Sequence, residues 1–324
     1  MKKLIILIIF LNSYFVFGQN VLETRKIELS KEYLETIENI ELYKDTGFYK
    51  GIEILENGLV NVNSGYEKYR IIFILGYLYA NTKQYDKSID MWLSANEEGI
   101  IFPFNVKKDN EFPHYLSEYS DNKRFQDFII LNDRLKISAA ENSKAEYFVN
   151  LPVNFNSDNK YPLIIILHGG IGNNNATYIN WDSKKIKSDF ISVCPQGRIV
   201  RGSYARSYGE SGLEDIKEIY MQVVSKYPVD TSMVILAGQS AGGALSLRLA
   251  YDDIPAHGLL LAFPVKPGDL DFKKASSYKN KNIRIVMICG EKDRRFFPGQ
   301  QEMSVILDSA GVENRFIKYP ELGH

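Results

Sequence analysis

The chain has 324 residues, of which 45% are hydrophobic and 24% are charged, so disordered and collagen-like classes of protein are excluded. Lys and Arg number 39 against 40 Asp and Glu, and this near-neutral balance argues against a nucleic-acid-binding surface. The two cysteines, Cys194 and Cys289, are too few for a disulfide-rich mini-protein or a cysteine-rich zinc module. At ~100–200 residues per domain, the length suggests two domains.

Residues 1–18 have the pattern of a secretory signal peptide. Two lysines precede an unbroken apolar run from Leu4 to Leu11, and Val16 and Gly18 are small enough for a cleavage site. The alternative is a membrane anchor, but this run is shorter than the ~20 residues that span a bilayer. We therefore expect an exported protein, secreted or periplasmic, that has no membrane span once the signal peptide is removed.

Residues 20–137 are expected to form an all-α domain of helical hairpins. One set of offsets, i, i+3, i+4, i+7 and i+10, recurs with mostly apolar or small residues from Phe48, Tyr85 and, less closely, Phe125. This spacing places one face of a helix against a neighbour. Ahead of the middle copy, Gly76 provides a small residue where a partner helix crosses.

The segment LGYLYANTKQYDKSIDMWLSA resembles a tetratricopeptide repeat, a helix-turn-helix unit with aromatic and small residues at set positions. The resemblance implies a stacked module that can bind a protein partner. The alternative is that the helices only pack on the next domain or lengthen its cleft, and the sequence leaves both interpretations open.

Residues 138–324 alternate strand-like and helix-like segments. Short apolar runs such as YPLIIILHGG, MVILAGQS and IRIVMICGEKD end in glycine or polar residues, and helical stretches lie between them. This pattern predicts an α/β fold with a mostly parallel sheet covered by helices on both faces. Ligands in such sheets bind beyond the carboxyl ends of the strands, so the residues directly after each strand are the candidates for chemistry.

The strongest candidate is the sequence Gly238-Gln239-Ser240-Ala241-Gly242, which follows an apolar strand and opens a helix. A sharp strand-to-helix turn lifts a serine hydroxyl clear of the sheet, and only glycine fits two residues before and after it. The N–H groups at the start of the helix favour a developing oxyanion. We predict that Ser240 is a nucleophile; the alternative is a closely packed turn without chemistry.

A serine nucleophile needs a base, and the base needs an acid that orients it. The candidate bases are the four histidines, namely His114, His168, His257 and His324. Among the carboxylates, Asp293 follows a strand end in MICGEKD, and Glu291 is its nearest rival.

Four segments in chain order, strand-LHGG, strand-GQSAGG, strand-GEKD and strand-GH, resemble the α/β-hydrolase fold with its order of Ser, acid and His. Within that fold, residues 146–324 resemble carboxylesterases and polyhydroxybutyrate-depolymerase-like or feruloyl-type esterases. The resemblance implies that Ser240 is the nucleophile, Asp293 the acid and His324 the base.

The resemblance also implies the oxyanion hole. The backbone N–H of Ala241 is one expected donor, and the second comes from Gly170 or its neighbour Gly169. His168 is then expected to shape this loop without moving protons. No metal or other cofactor is expected, because His168 lacks partners at metal-ligand spacing.

Three residues are predicted to contact the substrate: Gln239 beside the nucleophile, and Arg198 and Tyr204 in the loop GRIVRGSYARSYGESG. Arginine in this loop suits an anionic substrate group, and a solvated surface loop is the alternative. In the strand order of the resembled fold, Cys194 and Cys289 lie four strands apart, about 19 Å. That separation is too large for a disulfide, so two free, buried thiols are expected.

The predicted protein is an exported serine hydrolase that cleaves a small-molecule or polymer-linked acyl ester through an acyl-enzyme on Ser240. One alternative is a catalytically weak or inactive hydrolase-like binding protein, because the predicted base His324 is the last residue and the fold's usual closing helix is missing. Another alternative is a serine peptidase, because prolyl-oligopeptidase-like enzymes share the G-x-S-x-G-G turn.

Overall fold

The computed structural model describes residues 21–42, 47–62, 65–107, 110–252 and 254–324. The predicted signal peptide, residues 1–18, lies outside the described residues. Within the described ranges, no helix combines the length and the apolar character that crossing a membrane requires.

The amino-terminal region is mainly helical, and each helix packs against the next along the chain. A short 3₁₀ segment precedes its last helix. The elements of this region are β1 (Val21–Glu23), α1 (Lys31–Leu42), α2 (Phe48–Asn61), α3 (Gly65–Asn81), α4 (Tyr85–Glu97), β2 (Asn105–Lys107), β3 (Asn110–Phe112), the 3₁₀ segment (His114–Tyr119) and α5 (Lys123–Ala140).

The helix faces predicted from the repeated offsets are largely buried. On α4, the buried positions include Ile89 and Trp92, which have no exposed surface. A Cβ atom at Gly76 of α3 would lie only 2.5 Å from Cζ2 of Trp92, so the small residue permits this helix crossing, as the sequence predicts. The resemblance to tetratricopeptide repeats stays a prediction.

The carboxyl-terminal region alternates strands and helices. Its strands are β4 (Ala145–Asn150), β5 (Tyr161–Leu167), β6 (Ile191–Gln196), β7 (Ile199–Gly202), β8 (Ala205–Ser207), β9 (Val229–Gln239), β10 (Gly258–Ala262), β11 (Arg284–Gly290) and β12 (Asn314–Tyr319). Its helices are α6 (Asn174–Trp181), α7 (Lys184–Asp189), α8 (Gly212–Lys226), α9 (Ala241–Asp252), α10 (Phe272–Asn280) and α11 (Phe297–Ser309).

Eight strands form the main sheet in the order β1-β4-β6-β5-β9-β10-β11-β12. All neighbours pair in parallel except β4 and β6. The central strand β5 is apolar because both of its faces are covered: Ile164 and Ile166 pack near Tyr178 of α6, whereas Leu163 and Ile165 join the core beneath α8 and α9. The sheet and its helices confirm the predicted α/β-hydrolase fold class.

Two features at the region boundary differ from simple expectation. Strand β1 pairs with β4, so residues Val21–Glu23, which the sequence assigns to the helical domain, extend the main sheet. Helix α5 continues to Ala140, across the expected boundary between residues 137 and 138. That domain boundary stays a prediction.

Both cysteines are free and buried, as the sequence predicts. Cys194 lies on β6 and Cys289 on β11, and these strands are four places apart in the sheet. Burial raises the pKa of the Cys289 thiol to about 12, so this sulfur stays protonated and unreactive at neutral pH.

The helical region contacts the other region through the hairpin of β7 and β8, which the loop GRIVRGSYARSYGESG forms. Ser203 donates its backbone N–H to the Ile101 carbonyl at 2.8 Å, and Ile101 N–H donates to Ser203 Oγ at 2.8 Å. The Tyr204 ring packs on two tyrosines of α3, with centroids 5.3 Å from Tyr66 and 5.5 Å from Tyr69. The hairpin therefore fixes α3 beside the carboxyl ends of the strands.

One buried asparagine holds the chain that leads to this junction. Asn132 Oδ1 accepts the backbone N–H of Phe102 at 2.8 Å, and its Nδ2 donates to the Phe102 carbonyl at 2.9 Å. Asn96 Nδ2 donates to the side-chain oxygen Oδ1 of Asn132 at 3.2 Å. A single side chain thus satisfies both backbone polar groups of Phe102 in the core.

We expect Asn132→Leu to lower the free energy of unfolding by about 2–5 kcal/mol, because two buried backbone groups lose their partners. Urea denaturation measures this difference. The matched control is Asn81→Leu, whose exposed amide donates to the Tyr77 carbonyl of its own helix, and it should change the free energy by less than ~0.5 kcal/mol. Equal effects of the two substitutions would show that Asn132 does not hold this segment.

Candidate active site

The predicted nucleophile sits on a sharp turn between strand and helix. Strand β9 ends at Gln239, helix α9 begins at Ala241, and Ser240 between them has a φ of 53°, in the left-handed region. Two backbone hydrogen bonds hold this conformation: Ser240 N–H donates to the Ala262 carbonyl at 2.9 Å, and Val265 N–H donates to the Ser240 carbonyl at 3.1 Å. Such a backbone is strained for a non-glycine residue and persists because its surroundings fix it.

The glycines on either side of the turn are required by close backbone contacts. A Cβ atom at Gly238 would lie 2.4 Å from the carbonyl carbon of Gly242. A Cβ atom at Gly242 would lie 2.4 Å from the carbonyl oxygen of His168. The start of α9 therefore contacts the residues at the end of β5. This close contact is the reason, expected from the sequence, for glycine two residues before and after Ser240.

Three of the predicted site residues form one chain of hydrogen bonds. Ser240 Oγ lies 2.7 Å from His324 Nε2, and His324 Nδ1 lies 2.7 Å from Asp293 Oδ2. The other oxygen of Asp293 accepts the Phe296 N–H at 3.0 Å. The Asp293 side chain is 3% exposed and that of His324 is 32% exposed, so the acid is buried and the base faces the cleft.

The terminal histidine is held by contacts between two loops. The Lys292 N–H donates to the Leu322 carbonyl at 2.9 Å. A Cβ atom at Gly290 would lie 2.2 Å from the Gly323 carbonyl oxygen, so the two backbones are in direct contact. The Phe296 ring lies 4.7 Å from the imidazole, centroid to centroid. These contacts position the base although it is the last residue of the sequence.

The predicted oxyanion donors lie on two sides of the nucleophile. A Cβ atom at Gly169 would lie 3.6 Å from Ser240 Cβ, and one at Gly170 would lie 3.9 Å from Ala241 Cβ. Ala241 is the first residue of α9, so its N–H is not used by the helix's own hydrogen bonds. This arrangement is compatible with hydrogen-bond donation by Ala241 and by Gly170 or Gly169 to an oxyanion, and that role stays a prediction.

His168 is buried beneath this turn. Its Nε2 accepts the Gly197 N–H at 3.2 Å, so Nδ1 carries the proton and donates to the Gly169 carbonyl at 2.6 Å. The ring stacks on Tyr208 at a centroid distance of 4.2 Å. Burial lowers the pKa of His168 to about 4, so the imidazole is neutral and fixes the turn.

Ser240 lines a cleft of about 360 Å³, which is the size of a small-molecule site. Within the described part of the chain, no group of three or more His, Cys, Asp or Glu side chains is placed to hold a metal ion. The cleft is lined by residues of both regions: Tyr66, Tyr69, Arg70, Phe73, Pro103, Phe112, Gly169, Gly170, Ile171, Gly172, Asn173, Ala176, Thr177, Asn180, Tyr204, Ala205, Gln239, Ser240 and His324.

Two of the three predicted substrate-binding residues, Gln239 and Tyr204, line this cleft, whereas Arg198 does not. Its guanidinium forms two hydrogen bonds with the carboxylate of Asp215, one of them from Nε at 2.9 Å. The Asp215 side chain is buried in the first turn of α8, and a buried carboxylate requires such a partner. The predicted role of Arg198 is therefore corrected from substrate contact to an ion pair with the buried carboxylate of Asp215.

One wall of the cleft comes from the helical region, as in the interpretation that its helices lengthen the cleft of the next domain, but the residues were not identified from sequence. Tyr66, Tyr69, Arg70 and Phe73 line this wall from α3. Their spacing of i, i+3, i+4 and i+7 marks one helix face. The spacing is visible in the sequence, but nothing local shows which surface that face meets.

No family model matches the sequence. The chain is 24% identical over 269 residues to dipeptidyl peptidase 4 of Felis catus, a match that covers 71% of this chain and 34% of the relative. It is 30% identical over 114 residues to a probable dipeptidyl-peptidase 5 of Aspergillus terreus, covering 31% of this chain and 16% of the relative. The chain thus spans about a third or less of the length of these curated relatives.

Among solved structures, an uncharacterized protein from Bacillus cereus has a TM-score of 0.47 and 19% identity, with 90% of this chain and 92% of that chain covered. An esterase from Thermogutta terrifontis has a TM-score of 0.43 and 14% identity, with 57% and 79% covered. The fold is therefore described by the strand order of this chain's own sheet, and the site by its own hydrogen bonds. The Ser240–His324–Asp293 arrangement is that of a serine hydrolase.

Because the His168 imidazole is buried, we expect the free energy of unfolding to depend on pH. The unfolded chain binds a proton on His168 below pH ~6.5, whereas the folded chain does so only below about 4. Stability therefore falls as the pH drops through this window, by about 3 kcal/mol in total for this one group.

We expect His168→Phe to remove this share of the pH dependence of the free energy of unfolding. Urea denaturation at about pH 7 and about pH 4.5 compares wild type with variant, so the titration of other groups cancels. His114→Phe, at an exposed histidine, should keep the wild-type dependence. An unchanged pH dependence in His168→Phe would contradict the neutral, buried assignment.

Proposed function

We propose that the protein is a serine hydrolase that cleaves carboxylic esters through an acyl-enzyme on Ser240. The observation that carries the proposal is the chain of two 2.7 Å hydrogen bonds from Ser240 Oγ through His324 to Asp293, at the mouth of a cleft. Nucleophile, base and orienting acid are in the geometry that acyl transfer requires.

In the proposed reaction, Ser240 Oγ attacks the ester carbonyl carbon while His324 Nε2 takes the hydroxyl proton. The carbonyl π electrons move to oxygen, and Asp293 stabilises the imidazolium that forms. When the tetrahedral intermediate collapses, the alcohol leaves with the proton from His324. Water then attacks the acyl-enzyme by the same steps, releasing the acid and restoring the serine.

The oxyanion of each intermediate is proposed to accept hydrogen bonds from the N–H of Ala241 and from that of Gly170 or Gly169. Each donor of this kind contributes about 2.7–4 kcal/mol of barrier lowering. The start of α9 adds its positive helix end at the same point. The hydrogen bond from His168 Nδ1 to the Gly169 carbonyl supports this role, because it fixes the turn that carries the second donor.

The proposed substrate is a small-molecule or polymer-linked acyl ester. A cleft of about 360 Å³, open to solvent and flanked by aromatic rings, supports an ester of modest size or the exposed end of a larger one. Because α3 forms one wall, we propose that the helical region shapes this cleft. Binding of a protein partner by the helices remains the alternative.

Export is proposed separately, on the pattern of residues 1–18 alone. Amino-terminal sequencing of the protein recovered from its native cells tests it. A mature chain that begins after Gly18 supports a secreted or periplasmic protein, and a retained Met1 contradicts it.

A serine peptidase is the second candidate function. Its support is the partial similarity to two proteins named as dipeptidyl peptidases, at 24% and 30% identity. The same three side chains would serve amide cleavage. An inactive binding protein is less favoured, because the loop contacts of His324 hold the base in position.

A fluorophosphonate probe tests the catalytic serine. We expect covalent labelling of wild type and none of Ser240→Ala, with Ser225→Ala on the exposed face of α8 as the matched control that labels normally. Asp293→Asn should lower kcat by about 10⁴-fold, because the wrong imidazole tautomer is then favoured. Absent labelling of wild type, or equal labelling of Ser240→Ala, would overturn the proposal.

Paired substrates separate the two candidate functions. We expect wild type to hydrolyse p-nitrophenyl acetate and butyrate and to leave dipeptidyl p-nitroanilides intact, with Ser240→Ala inactive on both. Release of nitroaniline by wild type, lost in Ser240→Ala, would instead establish the peptidase.

A further inference from the structure

Helix α3 presents two faces with different surroundings. Ile72, Leu75 and Tyr79 are buried among the neighbouring helices. The face at Tyr69, Arg70 and Phe73 lines the cleft that contains Ser240. A guanidinium from the helical region therefore belongs to the same cavity as the proposed nucleophile.

The described lining of the cleft contains an arginine and no acidic side chain. Among the described residues that line it, Arg70 is the one permanent cation, and none is an aspartate or a glutamate. The nearby acid Asp293 is buried and paired with His324. A substrate with a negative group would therefore meet a complementary charge in this cavity.

Arg70 is partly buried yet forms no ion pair with a carboxylate in the part of the chain that the structure describes. The acid one turn earlier on the same helix, Glu67, accepts hydrogen bonds from Ser30 N at 2.5 Å and Ser30 Oγ at 3.0 Å. By contrast, Arg198 is bidentate with a carboxylate. Partial burial of a guanidinium without a counter-ion is unfavourable, and an anionic ligand reduces this penalty.

Arg70 is charged at neutral pH, as arginine side chains are in proteins. Burial acts to lower the pKa of its guanidinium, interactions with Tyr66 and Tyr33 raise it, and the pKa lies above the ordinary value. Its hydrogen bond with the Tyr33 hydroxyl engages only part of the five N–H donors that a guanidinium offers. The side chain is thus a charged hydrogen-bond donor at the wall of the cleft.

We infer that Arg70 binds a carboxylate of the substrate, so that the preferred substrates are esters carrying a free carboxylate at some distance from the scissile bond. This inference rests on the proposed ester hydrolysis at Ser240. The planar guanidinium matches a carboxylate in a bidentate pair. Between the two groups, the carbon chain of the substrate contacts Tyr69, Phe73 and Pro103, which line the same cavity.

The test compares matched anionic and neutral esters by kcat/KM. On the acyl side, p-nitrophenyl hemisuccinate, hemiglutarate and hemiadipate are paired with their methyl esters. On the alcohol side, 4-acetoxybenzoate is paired with methyl 4-acetoxybenzoate. We expect wild type to have a higher kcat/KM for the anionic member of the pairs on one side, acyl or alcohol. The preferred side then shows on which side of the scissile bond the substrate carboxylate lies.

Arg70→Met should reduce the anionic-to-neutral preference ratio by about 10- to 100-fold, the effect of losing a charge-assisted hydrogen bond. Arg70→Lys keeps the charge but not the fork of donors, so its ratio should be intermediate. Arg315→Gln, at an exposed arginine on β12, is the matched control and should keep the wild-type ratio. A wild type without preference on either side, or an unchanged ratio in Arg70→Met, overturns the inference.

Competition assays test the same inference on the wild-type protein alone, so their result does not depend on the folding of a variant. Glutarate should inhibit hydrolysis of neutral p-nitrophenyl butyrate competitively, and pentane-1,5-diol, an uncharged molecule of the same length without an ester bond, should not. Inhibition by inorganic phosphate without inhibition by glutarate would overturn the assignment to carboxylates.

The outcomes separate this inference from the proposed function. Fluorophosphonate labelling and hydrolysis of neutral esters without carboxylate preference would leave the serine hydrolase standing and remove the role of Arg70. Loss of labelling in wild type would remove the proposed function itself.

Discussion

The contact between the first turn of α9 and the end of β5 determines the geometry of the site. At Gly242 the helix backbone comes so close to the His168 carbonyl oxygen that a Cβ atom would lie 2.4 Å away. This contact sets the Ser240 turn against the Gly169–Gly170 turn, so nucleophile and proposed oxyanion donors face each other. Any larger residue at this point would separate them, because backbone on both sides cannot move without disturbing the sheet.

The side chains of the proposed catalytic triad were predictable because each follows the end of a parallel strand. Ser240 follows β9, Asp293 follows β11 and His324 follows β12, and the carboxyl ends of parallel strands meet at one edge. Strand pattern and chain order therefore sufficed to group them. The same rule failed for Arg198, which also follows a strand, because its direction depends on the buried carboxylate of Asp215, a partner that no local pattern reveals.

The parts that the sequence did not predict depend on long-range contacts. Strand β1 has three residues, too few for a periodic pattern, and its assignment comes only from pairing with β4. The face of α3 at Arg70 has helical spacing, yet its role follows from how the β7–β8 hairpin docks on the helices. Such docking is set by shape and by single contacts such as that of Tyr204, so neither propensity nor periodicity encodes it.

One side chain links the stability of this junction to the chemistry of the cleft. Tyr204 packs on Tyr66 and Tyr69 of α3, lines the cavity together with them, and belongs to the hairpin that follows β6 of the main sheet. Its ring contacts therefore join the α3 wall of the cavity to the carboxyl-terminal region. Because Arg70 lies one residue from Tyr69 on the same helix, a shift of the hairpin would move the proposed anion site relative to the nucleophile. The helical region is thus part of the wall of the candidate site, and the proposed anion recognition and the packing at the junction depend on the same contacts.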